Sequence, residues 1–497
     1  MSVYLPPAHV RVLRFLARAS SLASCAVFAY LTVEPGPPAP PDGPGLERDV
    51  QYVFVVVAML ATAAAWRYSG LGGFLLTISG AVLGIAAASR YSTETALVVA
   101  LMFIVPGVMF LAVWSSGRAL IVQAAAAVFV AAVLVVGGDE AQTRHETAFG
   151  PAHPASPLVA LPVDSVEWMW AGAASSTGFE VRAKLADAGR DARLVVSTGP
   201  QLSDAAYSDT TKATEATGRA VALRVDGLRP ATRYYYGIEV DGRIDDYQRG
   251  EIETFPEGAA SFRIAFASCA RTGSSGAVFD AIRAADPLLY LITGDVHYEN
   301  IESGDIGRFR DAYDMLLASP AQAALYRTTP IAYVWDDHDF GGNNSDATSR
   351  SKKAARLAYR EDVPHYDLAA GDGNEAIYQA FSAGRVRVIM TDTRSEKNAE
   401  DAPSGGDSLL GSRQLAWLKQ ELATASRTHS LVVWVNSVPW ISSGGASADD
   451  WGGYAGERRE IADFIAATGI RNLVMLSGDA HMIAADDGTN SDYSTAR

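Results

Sequence analysis

Six apolar runs in the second half of the chain each end in residues able to bind a metal or move a proton. The run 262–267 ends in Ser268-Cys269, and 288–293 ends in Gly294-Asp295-Val296-His297-Tyr298. The run 331–335 ends in Asp336-Asp337-His338-Asp339-Phe340-Gly341-Gly342-Asn343-Asn344, and 386–391 in Asp392-Thr393-Arg394. The run 431–435 ends in Asn436-Ser437, and 472–477 in Gly478-Asp479-Ala480-His481. Taken singly these say little. A Gly-Asp pair is commonly a turn, one buried Cys is commonly packing, and Asp-Asp-His suits a solvated loop. Repeated after at least four apolar runs, they point to one shared metal site. Hard oxygen donors with His and a single Cys suit a mixed metal centre, whereas a zinc finger needs more Cys.

The elements that must carry these residues follow from the pattern around them. Helical stretches at 277–285, 412–425 and 457–467 separate several of the apolar runs, which argues for α/β layers. Open α/β sheets place their sites outside the carboxyl ends of the strands, where the ligand-type residues fall. Upstream, alternating runs at 166–170, 179–185, 193–198, 220–225, 232–240 and 251–255 are separated by turn residues. They predict an antiparallel β-sandwich over 165–257. Its segment Leu228-Arg229-Pro230-Ala231-Thr232-Arg233-Tyr234 resembles the strand entry of fibronectin type III-like domains, where a tyrosine hydroxyl ties the corner to nearby backbone. No ligand cluster falls in it, so it reads as a packing or spacer module. Residues 139–164 are polar and carry Pro151, Pro154, Pro157 and Pro162, which predicts an extended linker with His145 and His153 solvated.

The first 138 residues are a different material. The chain has 497 residues, 49% hydrophobic, with a net charge of −15 and two cysteines. That excludes a basic nucleic-acid binder, a disulfide scaffold and a disordered chain. Residues 1–138 hold seven Lys/Arg and five Asp/Glu, so the remainder carries about −17. The uncharged runs 50–66, 71–89, 95–114 and 119–136 are close to the ~17–25 residues a helix needs to cross a bilayer. A weaker run, 19–33, follows Arg11, Arg14 and Arg18, which can snorkel to the interface. Cys25 precedes the apolar part of that run, the wrong order for signal-peptide processing, and reads as a small apolar helix residue. About five transmembrane helices with Arg11, Arg14, Arg18, Arg67 and Arg118 inside leave only Arg48 and Arg90 in outer loops. The positive-inside rule then puts everything after Val136 outside. This predicts a multi-pass cell-membrane protein whose α/β domain is extracytoplasmic, with the lipid bilayer as one partner.

From Val166 to the C-terminus the chain resembles the PhoD-type alkaline phosphatases, a branch of the calcineurin-like metallophosphoesterases. The motifs that carry the resemblance are Ala267-Ser268-Cys269, Gly294-Asp295 with Tyr298, Trp335-Asp336-Asp337-His338-Asp339, Asn343-Asn344, Asp392-Thr393-Arg394 and Gly478-Asp479-Ala480-His481. The resemblance implies a metallophosphoesterase domain over 258–497, acting on phosphate monoesters or diesters through metal-activated water. It also implies ferric iron and calcium, a binuclear zinc, manganese or magnesium centre being the alternative. By that analogy Cys269 and Tyr298 ligate iron and Asp295 bridges the ions, while Asn344 or Asn343, Asp479 and His481 complete the cluster. His338 is the implied acid near the leaving oxygen, Arg394 a clamp on phosphate oxygens, and Asp337 part of the catalytic set.

Three features depart from the family. His297 sits inside the Gly-Asp-x-x-Tyr block, either as a hydrogen-bond donor behind the ligands or as packing. A multi-span anchor stands where secreted members carry a twin-arginine signal. Family members continue past the acidic stretch 486–493, which implies C-terminal truncation. A rival class is a sensor or adhesion protein that uses the sandwich to bind a partner and the phosphatase-like fold as scaffold. His9, His365 and His429 read as surface residues. Trp440, Trp451 and Tyr454, flanking 442–453, read as a pocket border or a self-packed loop.

Overall fold

The computed structural model describes residues 8–33, 45–88, 93–116, 118–149, 161–371, 373–398, 408–442 and 449–495. They form two compact units, Met1–Gly150 and Pro151–Arg497.

The first unit is helical: α1 (Ala8–Val33), α2 (Gly45–Arg67), α3 (Ser69–Ala88), α4 (Thr93–Ser115) and α5 (Leu120–Phe149). Among the described residues, three segments are long and apolar enough to cross a membrane: Ser69–Ala88, Ala96–Ser115 and Ile121–Gln142. α1 is tied to α4 by a specific contact. Pro106 inside α4 has no N–H, so the carbonyl one turn back, on Met102, loses its helical donor. Ser24 Oγ of α1 donates to that carbonyl at 2.5 Å. Cys25 sits within α1 with Sγ 3.5 Å from Thr62 Oγ1 of α2. α5 runs on to Phe149, so 139–149 is helix where an extended linker was expected. His145 therefore lies in a helix, and His153 lies outside the described residues.

The second unit begins with β1 (Val166–Gly172), β2 (Phe179–Leu185), β3 (Asp191–Ser197), β4 (Ala206–Tyr207), β5 (Thr211–Lys212), β6 (Ala220–Val225), β7 (Arg233–Val240) and β8 (Arg243–Glu253). The α/β part follows as β9 (Ile264–Ala267), α6 (Ala277–Ala284), β10 (Leu289–Thr293), α7 (Ile306–Ala318), α8 (Pro320–Thr328) and β11 (Ile331–Val334). It continues through α9 (Asp337–Phe340), α10 (Lys352–Asp362), β12 (Gln379–Ala383), β13 (Val386–Met390), α11 (Gly411–Thr428), β14 (Leu431–Val435), α12 (Ala455–Thr468) and β15 (Leu473–Leu476).

Three sheets result. One is antiparallel, in the order β4-β3-β7-β8, with β5 also paired to β3. A second has the order β12-β13-β14-β15, its last three strands parallel. The third, β6-β2-β1-β11-β10-β9, is antiparallel through β1 and parallel from β1 onward. The strand patterns at 165–257 and the parallel strands after 258 therefore share one sheet, joined at the Gly172–Ile331 pair. Glycine is required there, because a Cβ on Gly172 would meet Ile331 O at 2.5 Å. One apolar core runs under both segments, from Trp170 and Val181 through Leu291 and Tyr333 to Val435. The expected corner is present: Arg229 N donates to Tyr234 Oη at 3.0 Å. β10 and β11 are buried along their whole length, as continuous apolar runs in a covered parallel sheet should be.

Candidate metal centre

The parallel strands β9, β10 and β11 of one sheet, and β13, β14 and β15 of the other, aim their carboxyl ends at one place. Gly478 lets the β15 end approach, since a Cβ there would meet Thr293 O at 2.3 Å. Cys269, Asp295, Asn344, Asp479 and His481 all hold φ between 49° and 62°, in the left-handed region that non-glycine residues avoid. Backbone strain of that kind gathers where side chains must be aimed at a ligand.

The side chains converge. Cys269 Sγ lies 3.6 Å from Asp295 Oδ2. Tyr298 Oη donates to the same oxygen at 3.0 Å and sits 2.9 Å from His481 Nε2. Ligand atoms of Cys269, Asp295 and His481 lie within 4.8 Å of one another, and so do those of Asp295, Asp337 and His338. A third group under the same limit is Asp295, Asp336, Asp337 and Asp479, so Asp295 belongs to all three.

Electrostatics favours a cation here. Burial pushes the Asp295 carboxyl far above the carboxylate range, and Asp337 and Asp336 push it further. Burial and neighbouring carboxylates do the same to Asp479. The Cys269 thiol and the Tyr298 phenol are raised by burial and then by Asp295. Buried Asp295 Oδ1 and Asp336 Oδ2 have no hydrogen-bond partner. Burial costs of this kind are offset by a multivalent ion with oxygen and sulfur donors. Asp337 differs: burial opposes its charge, but His338, Arg394 and the Asn344 amide hold it well below the usual range.

The remaining expected residues take several places. Asn344 lends its backbone N–H to Asp337 Oδ2 at 2.5 Å, while its side-chain Oδ1 accepts from Asn343 Nδ2 at 3.0 Å. His338 is half-buried, its pKa lowered by burial despite Asp337. Arg394 is fully buried beneath the cluster, with Nε on Asp336 Oδ1 at 2.5 Å and Nη1 on Asp449 Oδ2 at 2.6 Å. In this arrangement it braces carboxylates. His297 is fully buried against the edges of Phe309 and Tyr313 of α7, and burial lowers its pKa to about 3. It is neutral packing on the side of α7. Trp440, Trp451 and Tyr454 belong to the core around Trp434. His365 is stacked on Tyr359, and His429 meets Ser382 Oγ at 3.0 Å, so neither is a plain surface residue.

The sequence reading gave no role to Asp336, Asn300, Lys397 or Asp449. Asp336 shared a motif with Asp337 and could have been included on type alone. Lys397 pairs with Asp449 and donates to Asn344 O at 3.0 Å. No local pattern marks either of these two residues.

Buried carboxylates, a thiol, a phenol and imidazoles thus meet at the strand ends of a two-sheet α/β domain, in groups that could hold metal ions. Residues 264–496 match the family model described as PhoD-like phosphatase. Alkaline phosphatase D of Bacillus subtilis (strain 168) is 24% identical over 311 residues, covering 53% of this chain and 53% of that protein. Purple acid phosphatase 23 of Arabidopsis thaliana is 25% identical over 241 residues, covering 44% and 48%. The chain spans about half the length of these curated relatives. A solved structure titled "Structure of PhoD" superposes with a TM-score of 0.57 at 20% identity, over 66% of this chain and 73% of that one, and supports the fold.

Proposed function

We propose that the chain is a membrane-anchored, extracytoplasmic, metal-dependent phosphoesterase acting on phosphate monoesters, diesters or both. The observation that carries this is the meeting of Cys269, Asp295, Asp337, His338, Asp479 and His481 in overlapping groups that share Asp295. The donor set fits two different cations: thiolate, phenolate and imidazole from Cys269, Tyr298 and His481 suit iron, and carboxylate oxygens suit calcium. Asn343 or Asn344 is assigned as an amide oxygen donor beside Asp337 and Asp479. Such cations supply neutralisation of phosphoryl charge and acidification of water.

The chain's own groups do the rest. Asp295, common to the three groups, would bridge the two ions. His338 stands beside Asp295 and Asp337 as the acid for the leaving oxygen. Arg394 keeps Asp336 in place beneath, a bracing role that replaces the phosphate clamp. Residues 165–257 are assigned as a fibronectin type III-like sandwich that buttresses the catalytic segment 258–497. Residues 1–138 are assigned as the anchor, and the packing of α1 on α4 and α2 supports five crossings over three.

The test uses the full chain in detergent, stripped by chelator and reloaded with iron and calcium, singly and together. Hydrolysis of p-nitrophenyl phosphate or its bis ester should appear only with metal, and elemental analysis should find both ions. Metal-independent turnover, or no turnover in a folded, metal-loaded sample, would overturn the reading. Zinc or manganese as the only activating ion would overturn the iron–calcium assignment alone.

A further inference from the structure

Asn300 stands two residues beyond Tyr298, with its backbone in the left-handed region at φ 49°. Its side-chain amide spans two partners. Nδ2 donates to Tyr298 O at 3.1 Å, and Oδ1 lies 2.6 Å from His338 Nδ1. A backbone carbonyl only accepts, so the NH2 of Asn300 must face Tyr298 and its oxygen must face the imidazole. That oxygen also only accepts, so the proton between the two side chains sits on His338 Nδ1. In a neutral imidazole the other nitrogen then keeps its lone pair. The ring is also fixed on its face, with the Tyr298 ring centroid 4.3 Å away.

We infer that Asn300 is a positioning residue: it holds the His338 ring by its Nδ1–H, so that Nε2 is the nitrogen that takes up a proton from solvent and gives it to the leaving oxygen. The residue type answers two demands at once. Asn tolerates positive φ, and its amide supplies the donor for Tyr298 O together with the acceptor for His338. Asp could accept from His338 but could not donate to the carbonyl. The tautomer assignment stands on this geometry alone, and only its kinetic consequence rests on the phosphoesterase reading above.

The test has two parts, both on the full chain. With ¹⁵N-histidine labelling, long-range ¹H–¹⁵N correlations should show His338 protonated at Nδ1 and bare at Nε2. Asn300→Gly accepts positive φ while deleting the amide, and should convert that signal to a mixture of tautomers. Asn300→Asp keeps the acceptor and should preserve the Nδ1–H form. A neutral wild-type ring protonated at Nε2 and bare at Nδ1, or a Gly variant still locked at Nδ1–H, would overturn the inference.

In kinetics, Asn300→Gly should lower kcat for an alkyl phosphate by about 30-fold, part of the roughly 10²–10⁴-fold a positioned acid supplies. The same variant should change kcat for p-nitrophenyl phosphate by under about threefold, because that leaving group needs little proton assistance. Asn300→Asp should recover most of the alkyl-ester rate. On a His338→Gln background, adding Asn300→Gly should cost under about twofold, since the pair acts as a unit. Equal losses on both backgrounds, or equal losses for both esters, would show that Asn300 acts elsewhere. Inactivity of the wild type on every ester would sink the phosphoesterase reading and leave the tautomer measurement to decide the inference.

Discussion

Residues at the centre hold conformations that oppose stability, which makes their substitution informative. Five ligand-type residues have positive φ, each costing about 1–3 kcal/mol, and the buried carboxylates repel one another. Asp295 concentrates both roles, since it lies in all three ligand groups. Asp295→Asn should abolish metal binding and nearly all turnover while the metal-free protein unfolds at an equal or higher temperature, because Asn removes the cost of holding a buried carboxyl against its ordinary ionisation. A variant with normal metal content and near-normal turnover would refute the bridging role. Cys269→Ser should cost much but not all of the activity and remove a sulfur-to-iron absorbance band; a colourless, fully active variant would refute only the thiolate. His365, outside the centre, gives a pH signature. Burial lowers its pKa to about 4 in the folded state, against about 6.5 unfolded. The neutral ring's contribution is therefore complete above pH ~6.5 and is lost as pH falls toward the folded value. His365→Phe should flatten the dependence of melting temperature on pH between those limits, and an unchanged slope would count against it. Ligand types were legible in the sequence because each follows an apolar run. Depth was not: Arg394 and His297 read as possible donors, yet burial under Asp336 and against α7 is decided by distant segments.

Elements locate these residues through brackets between loops. Asp339 Oδ2 accepts from Val296 N at 3.0 Å and from Tyr333 Oη at 2.5 Å, while Oδ1 accepts from Asp336 N at 2.6 Å. One buried carboxylate thus fixes the backbone beside Asp295 after β10 to the backbone at Asp336 after β11. Asp339→Asn has one acceptor for three donors and should destabilise the protein by about 1–3 kcal/mol, the cost of a buried unsatisfied donor. Metal affinity should fall with it, because two ligand loops lose their common brace. Denaturant unfolding and a metal titration check both parts, and unchanged affinity in a folded variant would confine Asp339 to stability. The parallel strands were legible from their apolar runs, and the Tyr234 corner from its motif. The joining of β1 to β11 was not, because pairing across more than 150 residues leaves no local period and rests on one glycine's missing Cβ. The last turns of α5 were missed for a different reason. Polar residues at 139–149 suit a helix as well as a linker, and the proline signal begins only at Pro151.

At the scale of the whole molecule, the orientation argument narrows to three helices. If α3, α4 and α5 cross, Arg67 before α3 and Arg118 before α5 lie on one side, and Arg90 and everything after α5 lie on the other. That relation is the same whether or not α1 and α2 also cross, so it does not depend on the first hydrophobic run. On the topology proposed above, the positive-inside bias would put Arg67 and Arg118 in the cytoplasm and the strongly acidic remainder of the chain outside. The acidic unit also gains from facing away from the anionic inner leaflet. α5 fits a lipid-facing span, since Ile121, Val128, Val135 and Val136 are all exposed. Protease added to spheroplasts should therefore release a fragment beginning near residue 150 that carries the second unit, with the helices left in the membrane fraction. The same treatment should spare a cytoplasmic marker. Protection of the domain while known external proteins are digested would reverse the orientation, and release of the intact chain without protease would remove the membrane reading altogether.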